Sequence, residues 1–311
     1  MPPVVSTTDL TKCFPGVTAV DHLTFEVHAG EIFGLVGPDG AGKTTTLRML
    51  AGVLTPDGGS ATVAGADIAR DPEAAKAHLS YMPQRFGLYD DLTVSENIRF
   101  YADIFGVSRA ERAARSRQLL DAAGMSPFTD RLAGKLSGGM KQKLGLVCAL
   151  IHRPLAILLD EPTNGVDPVS RRDFWRILYS LLNEGIAILM STSYLDEAER
   201  CHRVALLHQG CMLYCETPAG LKRHLHGEVV SIVGHEARRI RVSLGGAAGV
   251  LNALLVGDGV HLVVDDAARR IPELRAALQA AGLSFERLEK VEPTIEDLFI
   301  AATSAAPGET A

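Results

Sequence analysis

Short apolar runs and amphipathic stretches alternate along the first two thirds of the chain. Residues 31–36 (Glu31-Ile32-Phe33-Gly34-Leu35-Val36), 155–159 and 186–190 are apolar runs of strand length. They lack the every-second-residue polarity of a strand with one wet face, so they predict strands covered on both faces. Between the last two runs, 168–182 sets Phe174, Ile177, Leu178 and Leu181 on one face at helical spacing. Another helix is expected from Thr44 to Leu50. Strand and helix alternating over about 4–225 predict an α/β body on a parallel sheet.

From about 86 to 150 the pattern turns mostly helical. Thr93-Val94-Ser95-Glu96 has the form of a capping box, with Val94, Ile98, Tyr101 and Phe105 following at helical spacing and Gly106 as the stop. This stretch reads as a helical insertion. After residue 226 the character changes. Apolar runs at 229–233 and 260–264 mix with a helix expected over 271–281. A last helix is opened by Thr294-Ile295-Glu296-Asp297, with Ile295, Leu298 and Phe299 as its apolar face. The expected division is 1–226 for the α/β body (helical part about 86–150), 227–304 for a small α+β domain, and 305–311 for a frayed tail.

Composition narrows the function classes. With 311 residues, 47% hydrophobic and 22% charged, the chain is ordinary globular material. A net charge of −6 argues against broad nucleic-acid binding, which leaves a basic footprint. The arginines of 109–117 read as the solvated face of a helix. The longest apolar region, 144–159, is broken by His152, Arg153 and Pro154 and does not suit a bilayer span. No basic and apolar leader is seen at the start. The five cysteines, Cys13, Cys148, Cys201, Cys211 and Cys215, show no zinc spacing and read as reduced thiols, the last two within a strand.

The chemistry concentrates in three places. The loop Gly37-Pro38-Asp39-Gly40-Ala41-Gly42-Lys43-Thr44 fits G-x-x-x-x-G-K-[ST] between a strand and a helix. Its glycines let backbone N–H groups converge on phosphate oxygens. Lys43 supplies a point charge for the β and γ phosphates, and the Thr44 hydroxyl suits Mg²⁺. The run 155–159 delivers Asp160 and Glu161 at the carboxyl end of a strand, Asp160 toward Mg²⁺ and Glu161 toward an attacking water. Leu136-Ser137-Gly138-Gly139-Met140-Lys141-Gln142-Lys143 opens an apolar helix with a hydroxyl and bare N–H groups, a second anion site.

Over about 4–225, the order of these motifs resembles the ATP-binding cassette family. The resemblance implies a P-loop NTPase fold of the ABC cassette type: a mixed sheet core with a helical subdomain, here followed by the α+β domain. It implies ATP cradled by Gly37, Asp39, Gly40, Ala41, Gly42, Lys43, Thr44 and Thr45, with Phe14 stacked on the adenine. It further implies Mg²⁺ held by Thr44, Gln84 and Asp160, and hydrolysis served by Glu161 and Gln84. Ser137, Gly138 and Gly139 match the signature that serves the nucleotide of a partner cassette, and Asn164-Gly165-Val166-Asp167 matches the D-loop. One departure stands out. Ser193 occupies the place just after the strand 186–190 where the family carries a His, so hydrolysis is expected to be slow or to rely on Glu161.

The wording of Pro293-Thr294-Ile295-Glu296-Asp297-Leu298-Phe299 resembles the ATPase subunits of drug-resistance and ABC-2-type exporters. Gly37-Pro38-Asp39-Gly40, Tyr81-Met82-Pro83-Gln84 and Ser191-Thr192-Ser193-Tyr194 resemble the first cassette of tandem exporter ATPases of the YbhF type. These resemblances imply an exporter subunit, cytoplasmic and peripheral on the inner face of the membrane. Its partners would be integral-membrane permease subunits, docking near 86–93, and a second cassette, identical or unequal; no nucleic acid is expected. The alternatives are a soluble regulatory ATPase acting on nucleic acid or ribosomes, or an ATP-sensing cassette without turnover.

Overall fold

The computed structural model describes residues 2–85 and 87–304; the expected tail at 305–311 and Phe86 lie outside them. The chain divides into two compact units between Cys215 and Glu216. The boundary expected at 226 falls eleven residues later, beyond a short helix of the second unit.

The first unit is built on two sheets. Strands β1 (Val5–Phe14) and β2 (Val17–Val27) pair antiparallel and lead into β3 (Ile32–Val36) and helix α1 (Lys43–Leu50). Next come β4 (Gly58–Val63), β5 (Ala66–Asp67), α2 (Pro72–Ala77) and β6 (Leu79–Met82). Helices α3 (Val94–Ile104), α4 (Arg109–Ala122) and α5 (Gly138–Leu150) form the helical insertion. The remainder is β7 (Ala156–Asp160), α6 (Pro168–Leu182), β8 (Ala187–Thr192), α7 (Leu195–Ala198), β9 (Arg203–His208) and β10 (Cys211–Glu216). One sheet runs in the order β10-β9-β3-β8-β7-β6, with β9, β3, β8, β7 and β6 parallel.

The apolar runs read in the sequence fall on β3, β7 and β8, strands buried at every position as a sheet covered on both faces requires, while Leu155 stands exposed just before β7. The second sheet, β2-β1-β4-β5, is antiparallel, in keeping with the mixed core that the family resemblance implies, although the apolar runs alone point to a parallel sheet. Its strands mix Thr, Asp, Lys and Gly with the apolar positions, so no continuous run announces them. Among the described residues no helix is long and apolar enough to cross a membrane.

The starts of α3 and α4 are set by side chains. The Thr93 hydroxyl accepts from the Glu96 N–H, and the Glu96 carboxylate accepts from the Thr93 N–H at 2.8 Å. Ser108 and Glu111 repeat the device on α4, which the sequence reading took only as a charged face. Each such cap contributes about 1 kcal/mol.

The second unit carries α8 (Pro218–Lys222), β11 (Glu228–Val233), α9 (Ala237–Leu244), β12 (Val250–Val256), β13 (Gly259–Val264), α10 (Ala267–Ala280), β14 (Arg287–Val291) and α11 (Ile295–Ser304). Its antiparallel sheet has the order β12-β13-β11-β14. The βαββαβ succession has the ferredoxin-like pattern. Helix α10 starts four residues before the expected 271, because the Asp266 carboxylate caps the Arg269 N–H at 3.0 Å ahead of the apolar face.

Helix α11 is tied to β13 by a buried pair. His261 Nδ1 lies 3.0 Å from Asp297 Oδ1, while the Thr294 N–H and hydroxyl each donate to Oδ2 at 2.8 Å. Burial pushes the Asp297 carboxyl up, but His261 and Thr294 together outweigh it and hold it below the usual value. A depressed carboxylate stabilises the fold above its unfolded pKa, and that contribution is lost as pH falls through the folded one. Asp297→Ala is expected to cost about 2–4 kcal/mol in denaturant melts near neutral pH. The gap to the parent chain should shrink on acidification below about pH 4.

Candidate nucleotide site

The phosphate loop leaves the carboxyl end of β3 and closes onto α1, and close backbone contacts dictate two of its glycines. A Cβ at Gly37 would stand 2.2 Å from the Leu207 carbonyl oxygen. One at Gly42, where φ is +95°, would stand 2.3 Å from the Ala19 carbonyl oxygen. Lys43 is buried, its ammonium donating to the Gly37 and Pro38 carbonyls at 2.7 and 3.0 Å and lying 3.3 Å from Glu161 Oε1. One cation therefore ties the loop to the end of β7.

Asp160 and Glu161 face different partners. Asp160 is buried, with Oδ1 accepting from the Thr44 and Ser191 hydroxyls at 2.8 Å each and Oδ2 from the Tyr81 hydroxyl at 3.2 Å. Burial and this carboxylate push the Tyr81 phenol up to about 12, so it stays a neutral donor. Glu161 turns away at φ +47°, a backbone conformation that costs a non-glycine residue of order 1 kcal/mol. Its N–H donates to the Ser191 carbonyl and hydroxyl, and its Oε2 accepts from Gln84 Nε2 at 3.2 Å and Asn164 Nδ2 at 3.1 Å. Tyr81, Ser191 and Asn164 were not assigned these roles from sequence. Tyr81 and Ser191 reach Asp160 across neighbouring parallel strands, a register that no local pattern reveals.

Phe14, loop residues 39–45, Gln84 and Glu161 line one cleft of about 520 Å³. Phe14 is exposed there, with the Lys12 ammonium 5.6 Å from its ring centre. Ser193 is half-buried directly after β8. Ser137 and Gly138 are exposed and do not line this cleft. Ser137 caps α5, its hydroxyl accepting from the Met140 N–H at 3.3 Å, and Gly139 is buried against α6, where a Cβ would meet Ser170 Oγ at 2.4 Å. The chain thus carries a complete phosphate loop and a separate, outward helix N-terminus.

In the expected docking region, Phe86 lies outside the described residues and Tyr89 is exposed, edge-on to Phe100. A nearby groove of about 560 Å³ is lined by Val53, Lys76, Tyr81, Tyr101, Ile104 and Phe105, among others.

Residues 20–164 match the ABC transporter family model. The chain is 45% identical to the probable multidrug ABC transporter ATP-binding protein YbhF of Escherichia coli, over 98% of this chain and 54% of that one. It therefore spans about half the length of that relative. It is 35% identical to the daunorubicin/doxorubicin resistance ATP-binding protein DrrA of Streptomyces peucetius, over 96% of this chain and 92% of that one. A solved structure described as the ATP-binding subunit of an ABC transporter superposes with a TM-score of 0.65 at 31% identity, covering 71% of this chain and 92% of its own.

Proposed function

The chain belongs to the ATP-binding subunits of ABC transporters, and from that premise we propose that it drives export of a drug or other small molecule by ATP-dependent pairing of two cassettes. The reading rests above all on one observation. Phe14, the phosphate loop, Gln84 and Glu161 share a cleft, while Ser137 and Gly138 stand exposed outside it at the N-terminus of α5. Each cleft would be completed by the outward N–H groups and hydroxyl of a second cassette, taken here as another copy of this chain. The permease would dock on the groove beside Tyr101 and Phe105, and the subunit would sit on the inner face of the membrane. Export of drug-like cargo is supported by the names of the relatives, which describe a multidrug ABC transporter and daunorubicin/doxorubicin resistance.

The residues divide the work. Backbone N–H groups of 39–45 and the Lys43 ammonium hold the phosphates, and Phe14 offers its face to the base. The Thr44 hydroxyl and the Asp160 carboxylate, already converged at 2.8 Å, form the hard-oxygen pair that suits Mg²⁺. Bound there with the phosphates, the ion supplies neutralisation of the charge on the γ-phosphate. Glu161, oriented by Gln84, Asn164 and Lys43, accepts the proton of the attacking water. Ser193 carries no positive charge, which makes for slow turnover.

Ser137→Arg tests the pairing. A long cation would block the outward N-terminus without touching the chain's own cleft. ATP affinity in fluorescence titrations is expected to hold within about twofold, while ATP-dependent dimerisation by light scattering and phosphate release fall by about 10²-fold or more. Unchanged turnover would refute the two-cassette reading.

A further inference from the structure

Asn164 joins two segments that lie thirty residues apart. Its Nδ2 donates to Glu161 Oε2 at 3.1 Å, and its Oδ1 accepts from the Tyr194 hydroxyl at 3.3 Å. A primary amide has a donor end and an acceptor end, so reversing it would set an oxygen against the Glu161 carboxylate. The Glu161 carboxylate, which can only accept, opposes that reversal, and the Tyr194 hydroxyl holds the Oδ1 end.

Tyr194 is itself held firmly. The guanidinium of Arg171 lies 4.5 Å from its ring centre. Its N–H donates to Thr192 Oγ1 at 3.0 Å, and that hydroxyl donates to Glu197 Oε2 at 2.7 Å. The other oxygen of Glu197 accepts from Thr163 Oγ1 at 2.7 Å and from Trp175 Nε1 at 3.3 Å. Glu197 is fully buried, so this carboxylate stitches the start of the 163–167 loop to the end of β8. The Tyr194 to Asn164 contact is the outer link of the same seam, and through the Asn164 amide it reaches the Glu161 side chain.

We propose that Tyr194 is a positioning residue for ATP hydrolysis, its hydroxyl acting through the Asn164 amide to hold the Glu161 carboxylate over the phosphate loop. The neighbouring Ser193 offers no charge for that task, and Tyr194 supplies orientation from the same segment. The inference rests on the reading of Glu161 as the group that activates water.

The test is steady-state phosphate release by the full-length chain and its Tyr194→Phe, Asn164→Ala, double and Glu161→Gln variants. Tyr194→Phe keeps the ring over Arg171 and removes one hydroxyl. It should lower kcat about tenfold with KM for ATP and the melting temperature unchanged. Asn164→Ala should cost as much, and the double variant no more than either, because both break one chain of contacts. Equal kcat for Tyr194→Phe and the parent chain, or losses that multiply in the double variant, would overturn the inference while leaving the role of Glu161 intact. Retained turnover in Glu161→Gln would instead sink the reading of Glu161, and the inference with it.

Discussion

Glu161→Gln should reduce phosphate release by about 10²–10⁴-fold while ATP affinity stays within a few-fold of the parent chain. The substitution keeps the length of the side chain and an oxygen to accept from Gln84 or Asn164. What it removes is the basicity needed to take a proton from water, together with the charge that faces Lys43 at 3.3 Å. Three groups converge on this one side chain, Lys43, Gln84 and Asn164, while Ser191 holds its backbone N–H. A left-handed backbone at a non-glycine residue adds to the case, since such strain persists where the surroundings demand it. Single-turnover phosphate release beside equilibrium binding of a fluorescent ATP analogue separates the two quantities. A loss in binding equal to the loss in turnover would assign Glu161 to nucleotide affinity instead of to chemistry.

Gly42→Ala carries the second large effect, this time on binding. At φ +95° an added Cβ imposes a strain of about 1–3 kcal/mol, and it would stand 2.3 Å from a backbone oxygen of β2. That oxygen is main chain between Thr18 and Val20, both paired with β1, and has no flexible end to swing away. The loop must therefore deform, carrying the N–H groups around Lys43 off their targets. ATP affinity is expected to fall by about 10²-fold, equivalent to some 2.7 kcal/mol. Gly40→Ala is the control: φ is +80° there, but nothing lies within 4 Å of the added Cβ. Its effect should stay several-fold smaller in the same titration. Equal losses would mean that conformation alone, without the contact to Ala19, governs the loop.

The parts of this molecule that could be read in advance are those whose signals are local. β3, β7 and β8 are apolar over consecutive residues, α6 spans the expected 168–182, and the Thr93 cap is complete within four residues. The phosphate loop is legible because its chemistry needs particular residues at fixed spacing. What escaped is non-local. The antiparallel sheet of β1, β2, β4 and β5 has polar faces and register shifts, so its strands carry no clean alternation. β14 (RLEKV) takes its pairing from β11 and has no apolar run of its own, whereas β12 is apolar at every position but Asn252. In the site, Tyr81 and Ser191 meet Asp160 only because β6, β7 and β8 are adjacent and parallel. Asn164 and Tyr194 meet only once both loops are in place.

The substitution of Ser193 for a histidine looked from sequence like a simple loss. Beside it the Tyr194 hydroxyl donates to Asn164, whose amide donates in turn to Glu161, the contacts on which the proposed positioning role of Tyr194 rests.

In the proposed cycle each nucleotide is hydrolysed between the phosphate loop and Glu161 of one copy and Ser137 of another. Mixing Ser137→Arg chains with Glu161→Gln chains tests it most directly. Alone, each variant is expected to be nearly inactive. In a mixed pair, one site joins an intact Glu161 to an intact Ser137. Random pairing of equal amounts, with half the pairs mixed and one good site in each, would restore about a quarter of the parent phosphate-release rate, and the weaker pairing of Ser137→Arg chains makes that the upper bound. A mixture no more active than the sum of its parts would contradict the account.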